Sequence, residues 1–152
     1  MAKNTHERIE AALGIAVVKS VPLSGGCIGD VRVLELAGGQ RVVVKTGGTH
    51  LDLEGWMLTY LARRSTLPVP DVRLAERDLL VMSYLETAGG ITAEAQEEAA
   101  GHLVRLHNIK GESFGLDRDT VIGGLHQPNT PETSWRTFFG HKRHSLCSSS
   151  SS

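Results

Sequence analysis

The sequence predicts an α+β fold: a five-stranded antiparallel sheet with a helix set among its strands, then a link and one further helix. Three observations predict it. Five short runs rich in Val, Ile and Leu are separated by turn residues, a Gly38-Gly39 pair stands between two of them, and two longer segments space apolar residues three and four apart. The 152 residues and 40% hydrophobic content suffice for a packed core. A net charge of −1, from 16 basic and 17 acidic side chains, gives no electrostatic reason to expect nucleic acid or an anionic membrane as partner. Only 5% of residues are aromatic, too few for a base-stacking surface. No apolar run approaches the roughly 20 residues of a spanning helix, and the first residues lack the apolar segment of a secretory signal, so a cytoplasmic location is expected. Cys27 and Cys147 do not make a disulfide framework.

Taken in order, residues 5–14 form a short amphipathic helix on Ile9, Ala12 and Leu13, with Thr5 to cap it and Gly14 to stop it. Residues 15–23 read as the first strand, and 31–36 as the second after a glycine-rich loop containing Gly25, Gly26 and Gly29. Gly38-Gly39 suits a two-residue hairpin turn into a third strand ending at Lys45, with Val42 and Val44 facing one way and Val43 and Lys45 the other. Thr49 with Asp52 makes a variant capping box for a helix over 51–64. Glu54 falls on that helix's apolar stripe of Leu51, Leu58 and Leu61, where an unpaired carboxylate would cost several kcal/mol, so it needs a partner, and Lys45 is the nearest upstream. A proline-bound connector leads to strands over 72–75 and 79–85 around a turn at 76–78. After a small-residue link, Thr92 opens a helix that Gly111 closes, with Leu103, Leu106 and Ile109 facing inward. Beyond it the pattern is loop-rich, and from Gly140 a polar tail ending in serines lacks periodicity and is expected to be disordered.

Strand, glycine loop, strand, turn, strand, lysine is the order in which a protein-kinase-like small lobe presents a phosphate cover and its lysine. Further along stand Val81-Met82-Ser83-Tyr84-Leu85, Leu106-His107, Phe114-Gly115, Ile122-Gly123 followed by Gln127-Pro128-Asn129, and Ser134-Trp135 with Phe138-Phe139. Together these resemble the fructosamine/ketosamine kinase family, relatives of aminoglycoside and choline phosphotransferases, over nearly the whole chain before the tail.

The resemblance implies a kinase-like N-terminal lobe over 1–86, a hinge and only the start of the helical large lobe over 87–139, and the tail over 140–152. It implies ATP-dependent phosphorylation of a sugar hydroxyl on a ketosamine, with ATP and magnesium as cofactors. By position, Gly25, Gly26, Cys27 and Gly29 would cover the phosphates, where a Cβ would block close approach. Lys45 would hold the α and β phosphates, and Glu54 would orient it. Met82 would back the adenine pocket, with the Ser83 carbonyl and Leu85 N–H at the adenine edge.

The family's catalytic loop, His-Gly-Asp followed by Asn and then Asp-Pro, does not occur in the 152 residues. No catalytic residue and no magnesium ligand is therefore assigned, and the chain is expected to be a truncated member, inactive alone. Two other readings stand: a non-catalytic nucleotide-binding or dimerising remnant, and a frame-shifted product without function. For Cys27 both a small apolar filler and a thiolate-prone thiol, whose oxidation would block nucleotide entry, remain open. Gln127, Asn129 and Trp135 either shape a sugar site or stabilise their loop. His107 is read as structural, and the seven histidines show no metal-ligand spacing.

Overall fold

The computed structural model describes residues 3–23, 29–86 and 90–144. They form two compact units, 1–106 and 107–152. The first is built from α1 (Lys3–Leu13), β1 (Val17–Pro22), β2 (Asp30–Leu36), β3 (Arg41–Thr46), α2 (Leu51–Arg64), β4 (Val72–Glu76), β5 (Leu79–Ser83) and α3 (Ala93–His107). Its strands make one five-stranded antiparallel sheet in the order β1-β2-β3-β5-β4.

Alternation along the strands sorts the side chains onto two faces. On one face Leu34, Leu36, Val42, Val44, Leu79 and Val81 are buried and enclose Ile9 of α1, which is fully buried. The β-branched residues of β3 suit a pleated, packed surface, and Ile9 closes it as the inward residue of an amphipathic helix. Gly14, at φ +68°, ends α1 in a conformation that favours glycine. Arg8 of α1 donates to both carboxylate oxygens of Asp78, at 3.0 and 2.8 Å, and also pairs with Glu76, so the helix is tied to the turn between β4 and β5. The hydrogen bond from Arg8 holds the Asp78 carboxyl below its ordinary value against a smaller opposing effect of desolvation.

The opposite face carries Val31, Val33 and Glu35 of β2, in register with Lys45, Val43 and Arg41 of β3, and Leu80 and Met82 of β5. α2 lies on this face against β4 and β5, and its point of closest approach is Gly55. A Cβ there would stand 2.5 Å from Ala75 Cβ and 3.1 Å from Leu80 Cδ1.

The structure departs from the sequence expectations at several places. The hairpin between β2 and β3 closes on three residues rather than two, because Leu36 N–H bonds Gln40 O at 2.8 Å while Ala37 N–H turns to Ala16 O at 2.9 Å beside β1. Gly38 and Gly39, at φ +94° and +84°, still supply the positive angles that close it. Thr49 does not cap α2. His50 occupies that position without a side-chain bond, and Leu51 N–H is instead satisfied by Arg77 O at 3.1 Å, a tertiary contact in place of a local cap. Thr92 does cap α3, accepting from Ala95 N–H at 3.2 Å. α3 ends at His107, before Lys110, and carries no buried residue. Of the stripe expected to face inward, Leu103 and Ile109 are 49% and 41% exposed and Leu106 is half-buried. A helix buries its stripe only where another element lies against it.

The second unit holds β6 (Thr120–Ile122) and β7 (Leu125–Gln127), which pair antiparallel, then α4 (Trp135–Phe139) and a π turn (Gly140–His144). This small hairpin was missed from the sequence, although Gly123-Gly124 between apolar residues was a turn signal of the kind recognised at Gly38-Gly39.

Gly55→Ala is expected to destabilise the first unit. The Ala75 Cβ it would strike is fixed to a strand backbone, so an overpacking cost of about 1–3 kcal/mol should exceed the gain of up to about 1 kcal/mol in helix propensity. Denaturant unfolding of the single and double variants should show Ala75→Gly recovering part of the loss.

Candidate functional site

Glu54 is placed by the same contact that seats α2. With Gly55 pressed on β4 and β5, the preceding side chain reaches along the sheet to β3, and Lys45 Nζ donates to Glu54 Oε2 at 2.7 Å. The two side chains are 23% and 33% exposed, so the pair sits at the margin of the packed face. At such exposure an ion pair contributes roughly 0–1 kcal/mol to stability. Its main effect is to hold the ammonium in place above the sheet.

Gly29 stands beside it. At φ +91°, a Cβ on Gly29 would lie 2.6 Å from the Thr46 carbonyl oxygen and 3.9 Å from Lys45 Cε. Gly47, just after β3, has φ +81°, and a Cβ on it would meet Gly29 Cα at an ordinary 3.6 Å, so its backbone angle rather than space favours glycine there. Gly29 thus lets the start of β2 approach the Thr46 backbone at the end of β3, next to the lysine. Gly47 was not singled out from the sequence, since a glycine after a strand looks like any turn residue. Gly25, Gly26 and Cys27 lie outside the described residues.

Met82 and Ser83 end β5. Val43 and Met82 are cross-strand partners, which puts Met82 on the face of Lys45. Ser83 is pinned from the β4 side, its N–H donating to Asp71 O at 2.8 Å and its hydroxyl accepting from Asp71 N–H at 2.9 Å. Leu85, just beyond, is 48% exposed. A cavity of about 250 Å³ opens on the same face, lined by Lys19, Val21, Val33, Glu35, Arg41 and Tyr84. That is smaller than the roughly 300–1,000 Å³ of a complete small-molecule site.

In the second unit Asn129 is 1% exposed and fully engaged. Its N–H donates to Asp119 Oδ1 at 2.7 Å, its side-chain amide donates to Arg118 O at 3.1 Å and Thr120 Oγ1 at 2.9 Å, and its Oδ1 accepts from Arg143. Its carbonyl accepts from Leu116 N–H at 3.0 Å, and Gly115 leaves the room, since a Cβ there would stand 2.4 Å from that oxygen. Of the two readings of Asn129, these bonds favour the loop-stabilising one. Gln127 is buried beside it, whereas Trp135 is 55% exposed and touches Phe114, Phe138 and Phe139.

Among the described residues no group of three or more His, Cys, Asp or Glu side chains could hold a metal ion. No helix among them is long and apolar enough to cross a membrane.

A five-stranded antiparallel sheet with a lysine on β3, a paired glutamate on the helix between β3 and β4, and a glycine against that lysine matches the fold of a protein-kinase-like N-terminal lobe. The fold is shared with a macrolide 2'-phosphotransferase type I, at TM-score 0.53 and 18% identity over 72% of this chain and 45% of that one. The family model for fructosamine kinase matches residues 1–149, and the chain belongs to that family. A probable ketoamine kinase of Pasteurella multocida is 32% identical over 68% of this chain and 38% of its own length. A second, from Vibrio parahaemolyticus, is 29% identical over 84% and 47%. Among solved structures, a candidate fructosamine-3-kinase from Thermobifida fusca YX-ER1 superposes at TM-score 0.77 with 26% identity, covering 94% of this chain and 52% of that one. The chain therefore spans about half the length, or less, of the relatives it matches. Membership of a kinase family implies ATP and a metal ion in general terms.

Asn129→Ala is expected to destabilise the second unit by about 2–4 kcal/mol, since it removes two buried donors' bonds and leaves the Arg118 and Thr120 oxygens unsatisfied. Hydrogen exchange should rise across residues 107–144 and remain unchanged in the sheet of the first unit.

Proposed function

We propose that this chain is the nucleotide-binding part of an ATP-dependent kinase that phosphorylates a sugar hydroxyl of ketosamines such as fructosamine or ribulosamine. The observation that carries the reading is the Lys45–Glu54 pair at 2.7 Å, on the sheet face that also presents Gly29 and Met82. A lysine held by a carboxylate is oriented toward a second anionic partner, and the α and β phosphates of ATP are that partner. The loop with Gly25, Gly26, Cys27 and Gly29 covers the phosphates with backbone N–H groups, while Met82, Ser83 and Leu85 border the adenine. Residues 1–86 serve as the N-lobe, 87–139 as link and start of the second lobe, and 140–152 as the tail, in a cytoplasmic protein.

The His-Gly-Asp…Asn and Asp-Pro residues that would take the hydroxyl proton and hold magnesium do not occur in the 152 residues. The reading thus gives this chain nucleotide binding without turnover, and the partly exposed stripe of α3 is consistent with a lobe working beside a further partner. MgATP should raise the chain's melting temperature, and Lys45→Ala should weaken binding by calorimetry about 10- to 100-fold, the loss of a charge-assisted contact. Failure of the wild-type chain to bind MgATP overturns the reading. So does phosphorylation of a fructosamine substrate by these 152 residues alone, where the expected turnover is none.

A further inference from the structure

We infer that Arg41 is a positioning residue for the nucleotide's base: with Tyr84 and Glu86 it clamps the backbone that follows β5, the segment against which the base would lie. The inference rests on the nucleotide reading above. β5 ends at Ser83, and residues 84–86 lie beyond the strand. Arg41 is the β3 residue that meets them. Its guanidinium carbon lies 4.2 Å from the centroid of the Tyr84 ring, its terminal nitrogen pairs with the Glu86 carboxylate, and its carbonyl accepts from Tyr84 N–H at a long 3.4 Å. The hydrogen bond that Arg41 donates to Glu86 raises the Arg41 pKa further, against a smaller effect of desolvation, so the guanidinium stays charged.

The segment is held from its other side as well. Ser83 exchanges two hydrogen bonds with Asp71, at 2.8 and 2.9 Å, through its N–H and its hydroxyl. Arg41 and Tyr84 are also walls of the 250 Å³ cavity on the face of Lys45. Lys45 lies four residue steps beyond Arg41, about 13 Å along β3. The clamp therefore acts at the end of the site away from the phosphates. Arg41 and Glu86 side chains are 41% and 74% exposed, at which a lone ion pair does little for global stability. The two side-chain contacts of Arg41, on the Tyr84 ring and the Glu86 carboxylate, instead restrain this short segment and cut the ordering that a ligand must otherwise impose.

The test compares the whole chain with Arg41→Ala, Arg41→Lys and Glu86→Gln, by calorimetry with MgATP and, separately, with inorganic tripolyphosphate. Arg41→Ala is expected to weaken MgATP about 3- to 10-fold and leave tripolyphosphate unchanged, with Glu86→Gln losing about 2- to 3-fold. Arg41→Lys should recover only part of the loss, because an ammonium lacks the planar fork that both stacks and pairs. Lys45→Ala should weaken both ligands. Equal weakening of both ligands by Arg41→Ala, or unchanged MgATP affinity in Arg41→Ala and Glu86→Gln, overturns the inference while leaving the nucleotide reading intact. No MgATP binding by the wild-type chain overturns both. Glu86→Gln changes an exposed group and keeps the test valid if Arg41→Ala does not fold.

Discussion

Glu54 reaches Lys45 because its neighbour Gly55 has no side chain. The missing Cβ lets α2 settle onto Ala75 and Leu80, and that depth brings the carboxylate over β3 to within 2.7 Å of the ammonium. A methyl group at Gly55 would lift the helix or push β4 aside, and the pair would be the first geometry to suffer. The rest of the sheet supports this contact from below. Ile9 and the inward residues of β2, β3 and β5 fill the opposite face, so the surface on which α2 rests is a packed layer of low compressibility.

The same face is organised in rows that follow from antiparallel register. Val31, Lys45 and Leu80 lie across one row, Val33, Val43 and Met82 across the next, and Glu35 and Arg41 across a third. Charge stands at the two ends and apolar surface between them. Gly29 crowds the lysine end, and Arg41, Tyr84 and Glu86 order the other, so each end of the row is held by a different device.

Much of this was legible in the residues themselves. Period-two alternation, glycine turns and stop signals are local consequences of backbone sterics, so the five strands and the first two helices could be placed within a few residues. Glu54 on an apolar stripe demanded a cation, and that demand pointed to Lys45. What escaped reading depended on partners distant in sequence. The start of α2 relies on Arg77 O rather than on Thr49, the β2–β3 turn gains a residue because Ala37 bonds Ala16, and α3 holds no buried residue.

By itself the sequence determined the sheet, Gly29 beside the lysine, the pairing of Lys45 with Glu54, and the family resemblance, because each is encoded in residue types at short or characteristic spacings. Only the tertiary structure decided which glycine seats the helix, that Asn129 spends its polar groups on its own loop, and that Arg41 grips the segment after β5. Those outcomes depend on which backbones approach within a few ångströms across tens of residues. Spacing along the chain does not carry that distance.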